Sequence, residues 1–389
     1  MPGFGGNYNG GSYGSRRVPR RSSLIGTILR IVLFLATIAL SVALVIAYLT
    51  PNVSPSSFGS LTIVGIFAPL LYIGVVICLF CWAIMARWII SGVLLLILIP
   101  GLFHLSDFYG VVYLRQVEQK PSNGSLTVMS YNVRGFRDDN SKVAVEDHVA
   151  YFEKHDIPDI LCFQEYSLDV ADVERIDSLI AAHHKTTYSE EVVETGNVVL
   201  RTYSRFPIVA SGSISDQGRG TSLWVDVVIT KQDKRDTLRI FNNHLHTMNI
   251  TSEDSSDIEQ GVILNDGVRM QSIVDRIAKN SSIRAEYVDS LRKVVSSSPH
   301  RNILCGDFND TPMSYVYNEL VKDYVDAFEA CGSGYGYTFR PMHGLLRIDY
   351  ILLSKGLDVE SYAADTGNEL SDHLPITARV KMRPKSNKK

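Results

Sequence analysis

The sequence predicts an α/β fold, a sandwich of two packed β-sheets covered by helices and preceded by three membrane-spanning helices. Two patterns in its 389 residues lead there. Beyond residue 125, apolar runs of strand length alternate with segments of helical periodicity, the order expected of two sheets with helices outside. Before residue 106, three long apolar runs carry almost no charge.

Residues 1–23 are rich in Gly, Tyr and Asn and then basic at Arg16, Arg17, Arg20 and Arg21, which predicts a disordered tail. The runs 24–49, 61–86 and 88–105 contain only Arg30 and are divided, between the second and third, by Arg87. About 20 apolar residues cross a hydrocarbon core of about 30 Å, so each run is assigned to a span, the last being the shortest and interrupted by Pro100-Gly101. A cleaved signal peptide is the rival for the first run, but its apolar region would be only about 7 to 15 residues long. Paired arginines also fit a twin-arginine export signal, yet two further apolar runs favour a multi-span anchor. Positive charge before the first run and at Arg87, with Trp82 and Trp88 beside it, puts the N-terminus and that turn in the cytoplasm. Three crossings then leave the C-terminal region outside. Residues 106–125 read as a linker, 126–383 as one large folded domain and 384–389 as a basic tail suited to anionic lipid.

In the C-terminal region, the run 126–132 ends in the amide of Asn132, 159–165 in the carboxylate of Glu165, and 238–244 in the imidazole of His244. The next run stops at Gly306 and presents Asp307 and Asn309 together, one able to take a proton from water and the other to donate to a phosphoryl oxygen. Asp349 lies inside the run 347–353, and Asp372-His373 precede a last strand beginning near Ile376. Between these, 148–155, 173–183 and 268–296 read as helices; Arg269, Arg276 and Arg284 of the third are expected on a solvated face, with a phosphate contact by Arg284 as the second reading. Singly, each polar residue has a plainer role: a turn at 306–309, a satisfied histidine at His244, an ion pair between Asp349 and Arg347. Their joint placement at strand ends favours one converging site.

The ordered segments Ser130-Tyr-Asn-Val-Arg-Gly135, Gln164-Glu165, Asn243-His-Leu245, Gly306-Asp-Phe-Asn309, Arg347-Ile-Asp-Tyr-Ile351 and Ser371-Asp-His-Leu-Pro375 resemble the endonuclease/exonuclease/phosphatase superfamily. That group includes deoxyribonuclease I, abasic-site endonucleases, neutral sphingomyelinases and inositol polyphosphate 5-phosphatases, and the resemblance spans residues 126 to 380. It implies a deoxyribonuclease I-like sandwich and hydrolysis of phosphoesters. Hard cations prefer oxygen, so Asn132, Glu165 and Asp372 suit Mg²⁺, with Mn²⁺ as a substitute. The resemblance further implies that Asp307 orients or deprotonates water, that Asn309 holds the geometry, and that Asp349 fixes the tautomer of His373. His244 matches a second histidine of the deoxyribonuclease I and sphingomyelinase branches. Its partner is left open between Glu194 and Asn197, and His246, on the same strand face, lines the pocket entrance.

Charge and motif details narrow the substrate. Residues 1–120 hold 8 Lys/Arg and 2 Asp/Glu, leaving 30 against 39 in the remainder, an acidic surface ill suited to duplex DNA. The segment Gly306-Asp-Phe-Asn-Asp310 lacks the arginine of the inositol 5-phosphatases, and His244 stands where abasic-site endonucleases carry Tyr. A membrane-anchored phosphodiesterase acting on lipid headgroups is therefore the leading expectation, with an extracytoplasmic nuclease and a non-catalytic receptor for phosphorylated ligands as alternatives; no obligate protein partner is inferred. Among five cysteines, Cys78 and Cys81 fall in a span, Cys162 and Cys305 in strand runs, and Cys331 is left over, so no structural disulfide is expected.

Overall fold

The computed structural model describes residues 24–111, 124–138, 141–216, 218–231 and 234–384. The expected N-terminal tail, the basic tail beyond residue 384 and most of the expected linker lie outside the described residues. The N-terminal region contains helices α1 (Leu24–Leu49), α2 (Pro55–Phe58), α3 (Leu61–Ile66), α4 (Ala68–Ile84), α5 (Trp88–Phe103) and α6 (Leu105–Phe108), then strand β1 (Tyr109–Val111). The remainder runs β2 (Ser125–Asn132), α7 (Val145–Lys154), β3 (Ile160–Ser167), α8 (Glu174–His184), β4 (Tyr188–Thr195), β5 (Val198–Ser204), β6 (Ile208–Ser215), β7 (Gly220–Lys231) and β8 (Lys234–Leu245). It continues with α9 (Ser252–Glu259), α10 (Gly267–Ser296), β9 (Arg301–Asp307), α11 (Tyr315–Val321), β10 (Tyr324–Asp326), α12 (Ala327–Cys331), β11 (Ser333–Tyr335), α13 (Pro341–Gly344), β12 (Asp349–Ser354), β13 (Leu357–Ala364) and β14 (Ile376–Met382).

The expectation of three full-length spans needs correction. Only the first apolar run forms one helix long and apolar enough to cross a bilayer. The second breaks at Phe67, because Pro69 has no N–H to return to the preceding turn; this leaves α4 with 17 residues, about 25 Å. Helix α5 has 16 residues with Pro100 inside it. The three nevertheless pack together through Leu44, Val75, Cys78, Trp82, Leu94 and Leu98, and the Trp82 indole donates to Thr37 Oγ1 at 2.9 Å. Their outer faces are apolar and exposed, at Val32, Leu35, Ile77, Phe80, Val93 and Leu96 for example.

This helical assembly sits on the C-terminal region. Thr50 Oγ1 donates to the Met313 carbonyl at 2.7 Å, Asn318 Nδ2 to that of Pro51 at 2.9 Å, and Ser282 Oγ to that of Pro55 at 2.8 Å. Gly65 lies so close to the loop after β9 that a Cβ there would stand 2.5 Å from the Met313 oxygen. The start of the expected linker is also structured, since β1 pairs antiparallel with β11.

The C-terminal region is a sandwich of two six-stranded sheets, ordered β10-β12-β9-β8-β7-β6 and β13-β14-β2-β3-β5-β4. Alternation along each strand sorts its side chains. Leu126, Val128, Ile160 and Cys162 point between the sheets, where they meet Val225, Ile240, Ile303 and Ile351. Met129, Tyr131 and Phe163 point outward beneath Val149 and Phe152 of α7 and Ile176 and Ile180 of α8. On the far side, Phe241, Leu304 and Tyr350 pack under Tyr287, Val288 and Leu291 of α10. All five cysteines are free.

Helix α10 corrects one sequence reading. Arg284 is neither solvated nor open to a phosphate: it is fully buried, with Nε 3.1 Å from Asp310 Oδ2 and Nη1 donating to the His246 carbonyl at 3.0 Å. It ties the helix to the loops that follow β8 and β9. Removing one member of a buried pair strands the other charge, so Arg284→Ala should lower stability by about 3–5 kcal/mol. Denaturant unfolding of the full chain checks this. Arg269 and Arg276, both half-buried, pair with the buried Asp254 at 3.5 and 2.7 Å.

Candidate active site

Each sheet contains one parallel pair, β2 with β3 and β8 with β9, and a parallel pair brings two carboxyl ends together. Asn132 ends β2 beside Gln164, and His244 of β8 lies opposite Asp307, the last residue of β9. Antiparallel β12 begins at Asp349 on the other side of Asp307. Gly306 permits this crowding, since its φ is +137° and a Cβ would fall 1.9 Å from the Asn243 carbonyl oxygen.

Two local irregularities aim side chains into the space. The β3–β5 register shifts between Phe163 and Tyr166, and Glu165, inside that shift, has φ 51°. The β4–β5 register shifts between Val193 and Thr195, around Glu194. Such bulges turn a residue out of a strand's normal alternation.

The structure gathers seven of the sequence-predicted residues into one polar cluster. Asn132 Nδ2 donates to Glu165 Oε1 and Asp307 Oδ2, both at 3.1 Å. Asp307 Oδ1 accepts the Asn309 backbone N–H at 2.8 Å, and the Asn309 side chain donates to Asp307 Oδ2 at 3.1 Å and to the Leu245 carbonyl at 3.0 Å. His373 Nδ1 lies 2.9 Å from Asp349 Oδ2, with its Nε2 3.6 Å from Asp307 Oδ2. His244 Nε2 stands 3.7 Å from Glu165 and 3.7 Å from Asp307. The eighth, Asp372, joins through Arg134, whose backbone N–H donates to Asn132 Oδ1 at 3.0 Å and whose Nε is 3.5 Å from Asp372 Oδ2.

Of the two candidate partners of His244, Glu194 occupies the position: its Oε1 is 2.6 Å from Nδ1. Asn197 turns instead toward Asp169. The plainer reading of Asp349, an ion pair with Arg347, does not hold, because Arg347 pairs with Asp326 at 2.6 Å and leaves Asp349 to His373.

Sequence reasoning missed the supports beneath the cluster. Gln164 Nε2 reaches across the sandwich to Asn242 Oδ1 at 2.7 Å, and Asn242 Nδ2 returns a bond to the Phe163 carbonyl at 3.0 Å. Thr338 Oγ1 accepts the backbone N–H groups of Ile348 and Asp349, both at 3.0 Å, fixing the start of β12. Polar residues within apolar runs were the available signal.

The charges shift one another. Burial, reinforced by Asp349, raises Asp307 to about 6 against the pull of His373 and His244. Burial disfavours the charged form of His244, but Glu194, Asp307 and Glu165 together outweigh it and lift the imidazole to about 10. His373 is likewise buried, yet Asp349 and Asp307 hold it well above the ordinary histidine value. Glu194→Gln should therefore lower the His244 value and reduce kcat by about 10–100-fold, the usual cost of losing a carboxylate that orients a functional histidine. A pH–rate profile of that variant, with its alkaline limb moved down, checks it.

The donor set fits a hard cation. Five carboxylates, Glu165, Glu194, Asp307, Asp349 and Asp372, face three cationic groups, Arg134, His244 and His373, so the pocket has an excess of negative charge even with both imidazoles protonated. Glu165 supplies a carboxylate oxygen beside the Asn132 amide, whose Nδ2 donates to it while Oδ1 accepts the Arg134 N–H. Asp307, Asp349 and His373 form a second group that could hold a metal, with ligand atoms within 4.8 Å of one another.

Residues 129–373 match the endonuclease/exonuclease/phosphatase family, a stretch that begins within β2 and contains all eight predicted site residues. The chain belongs to that family, whose chemistry is hydrolysis of phosphoester bonds. Residues 30–108, the helical assembly, match a second family described as a domain of unknown function. Similar solved structures include an endonuclease/exonuclease/phosphatase from Beutenbergia cavernae, 17% identical over 67% of this chain and 72% of that one, with a TM-score of 0.48. Another is the corresponding protein from Bacteroides vulgatus, 15% identical over 67% and 99%, TM-score 0.47. A third is the human Nocturnin catalytic domain with bound sulfate, 17% identical over 66% and 94%, TM-score 0.45. Comparison with curated proteins gave no match.

Proposed function

We propose that this chain is a membrane-anchored, Mg²⁺-dependent phosphodiesterase acting on lipid headgroups. The observation that carries the reading is the position of the helical assembly. The loop that follows Asp307 and Asn309 is the one on which Thr50 and Gly65 rest, so the pocket lies beside the apolar helices. Residues 50–58 and 104–111 both meet the catalytic domain, while Arg87 is in the turn at the other end of α4 and α5. That arrangement supports a cytoplasmic N-terminus, a crossing by α1 with the shorter α4 and α5 packed beside it, and an external catalytic domain.

Asn132, Glu165 and Asp372 are the residues proposed to hold the cation, which would polarise a phosphoryl oxygen and offset charge gathering there. Asp307 receives a proton from water as the water oxygen attacks phosphorus. Asn309 keeps that carboxylate fixed through two hydrogen bonds. His373, oriented by Asp349, presents Nε2 toward the phosphoryl group. His244, charged through Glu194, stabilises the transition state or gives its proton to the departing alkoxide as the ester P–O bond breaks.

The test places the full chain in nanodiscs containing phosphatidylcholine and sphingomyelin, adds Mg²⁺ and plasmid DNA, and uses Asp307→Asn as control. Release of phosphorylated headgroup with intact plasmid is expected; nicked plasmid with intact lipid would replace the lipid reading by the nuclease one.

A further inference from the structure

An apolar groove of about 330 Å³ runs between the helical assembly and the catalytic domain. One wall is Ile63, Ile66 and Phe67 at the end of α3. The other is built by Ile258 of α9, Met270, Ile273, Val274 and Ile277 of α10, and Met342 of α13, with Ile250 from the loop after β8. Every one of these lining side chains is apolar. The volume lies at the lower end of the range for small-ligand pockets, about 300–1,000 Å³.

The groove lies between the apolar exterior of the helices and the packed residues that border the site. Toward the helices, Phe67 is followed one turn on by Leu70, half exposed on the apolar exterior. Toward the site, the same hydrophobic cluster continues through Met248, Ile348 and Phe339. Ile348 precedes Asp349 directly, and the Phe339 ring lies 5.0 Å from the imidazole of His373. Apolar packing thus continues from the groove to the residues that position His373.

We propose that this groove holds one acyl chain of a membrane lipid. The inference rests on the lipid-phosphodiesterase reading and sharpens it: the substrate is recognised by its tail as well as its phosphate. The walls dictate the occupant's chemistry. A headgroup or peptide would bring polar groups with no partner among these side chains, whereas methylene groups lose nothing on leaving the bilayer. The α3 wall is continuous with the helices' apolar exterior, so a chain enters without crossing water. With the tail in the groove, the phosphate at the chain's polar end stays outside the apolar lining.

The experiment uses full-length protein in phosphatidylcholine nanodiscs doped with a phosphatidylcholine bearing a diazirine on one acyl chain. After irradiation, labelled peptides are mapped by mass spectrometry. Labels are expected at Met270, Ile273, Val274 or Met342, in addition to the lipid-facing sides of α1, α4 and α5. Val274→Trp, which fills the groove, should reduce groove labelling at least tenfold while labelling of the helices persists, which also reports that the variant is inserted and folded. Labelling confined to the outer helix faces, or groove labelling untouched by the tryptophan, would overturn the proposal. Headgroup release by the same nanodiscs in Mg²⁺ is read in parallel. Groove labelling without headgroup release would sink the phosphodiesterase reading for this lipid and keep the acyl site; headgroup release without groove labelling would sink the site and keep the reading.

Discussion

Asp307→Asn should lower kcat by about 10²–10⁴-fold, the contribution of a positioned general base, with little change in folded yield. The substitution keeps the shape of the side chain and an oxygen for the Asn309 N–H, but removes the carboxylate proposed to accept water's proton. The same residue sets the pH dependence. Asp307 is raised to about 6, so below that value it is protonated and cannot act, and activity falls with falling pH. His244 is raised to about 10, so activity also falls as pH rises through that value and the imidazolium is lost. A bound cation favours carboxylate and disfavours imidazolium, moving both limbs down. The expected kcat/KM profile is a bell with limbs no higher than about 6 and about 10; an acid limb well above the first would remove Asp307 from this role.

Gly306→Ala should be among the most destabilising single methyl additions the chain could receive. The alanine Cβ would meet a backbone oxygen at 1.9 Å, and the residue would have to hold φ at +137°. The neighbour is the Asn243 carbonyl of β8, which cannot rotate aside as a side chain would. Backbone strain and overpacking each cost about 1–3 kcal/mol, together a large share of a typical stability of about 5–15 kcal/mol. Loss of most folded protein is expected, with the melting temperature of any remainder strongly lowered. Near-normal melting behaviour would mean that the β8–β9 pair can separate without cost.

The residues of this site legible in the sequence are those delivered by buried strands. Asn132, Glu165, His244, Asp307 and Asp349 all follow or interrupt apolar runs, so both the strand and its functional residue announced themselves. Glu194 did so less clearly, because β4 alternates half-buried and exposed residues and its acid faces the site only through a register shift. Arg284 looked solvated because periodicity shows that a helix has faces, but not which of them a distant loop covers. Hydropathy identified three apolar runs correctly as helical and overestimated two as spans, since a running average does not register the interruption at Phe67 before Pro69. The polar struts Gln164 and Asn242 are 78 residues apart in sequence and meet only because the two sheets stack.

The contacts of Thr50, Pro51 and Pro55 on one side and the β1–β11 pairing on the other fasten the catalytic domain to its helices at separate places. A domain on a single flexible tether sweeps a hemisphere and meets anything dissolved within reach. Paired fastenings remove that freedom and fix the place of the C-terminal region on its helices. In the proposed setting, selection then acts through headroom before chemistry: a phosphate must approach at the one depth that the fastened domain allows.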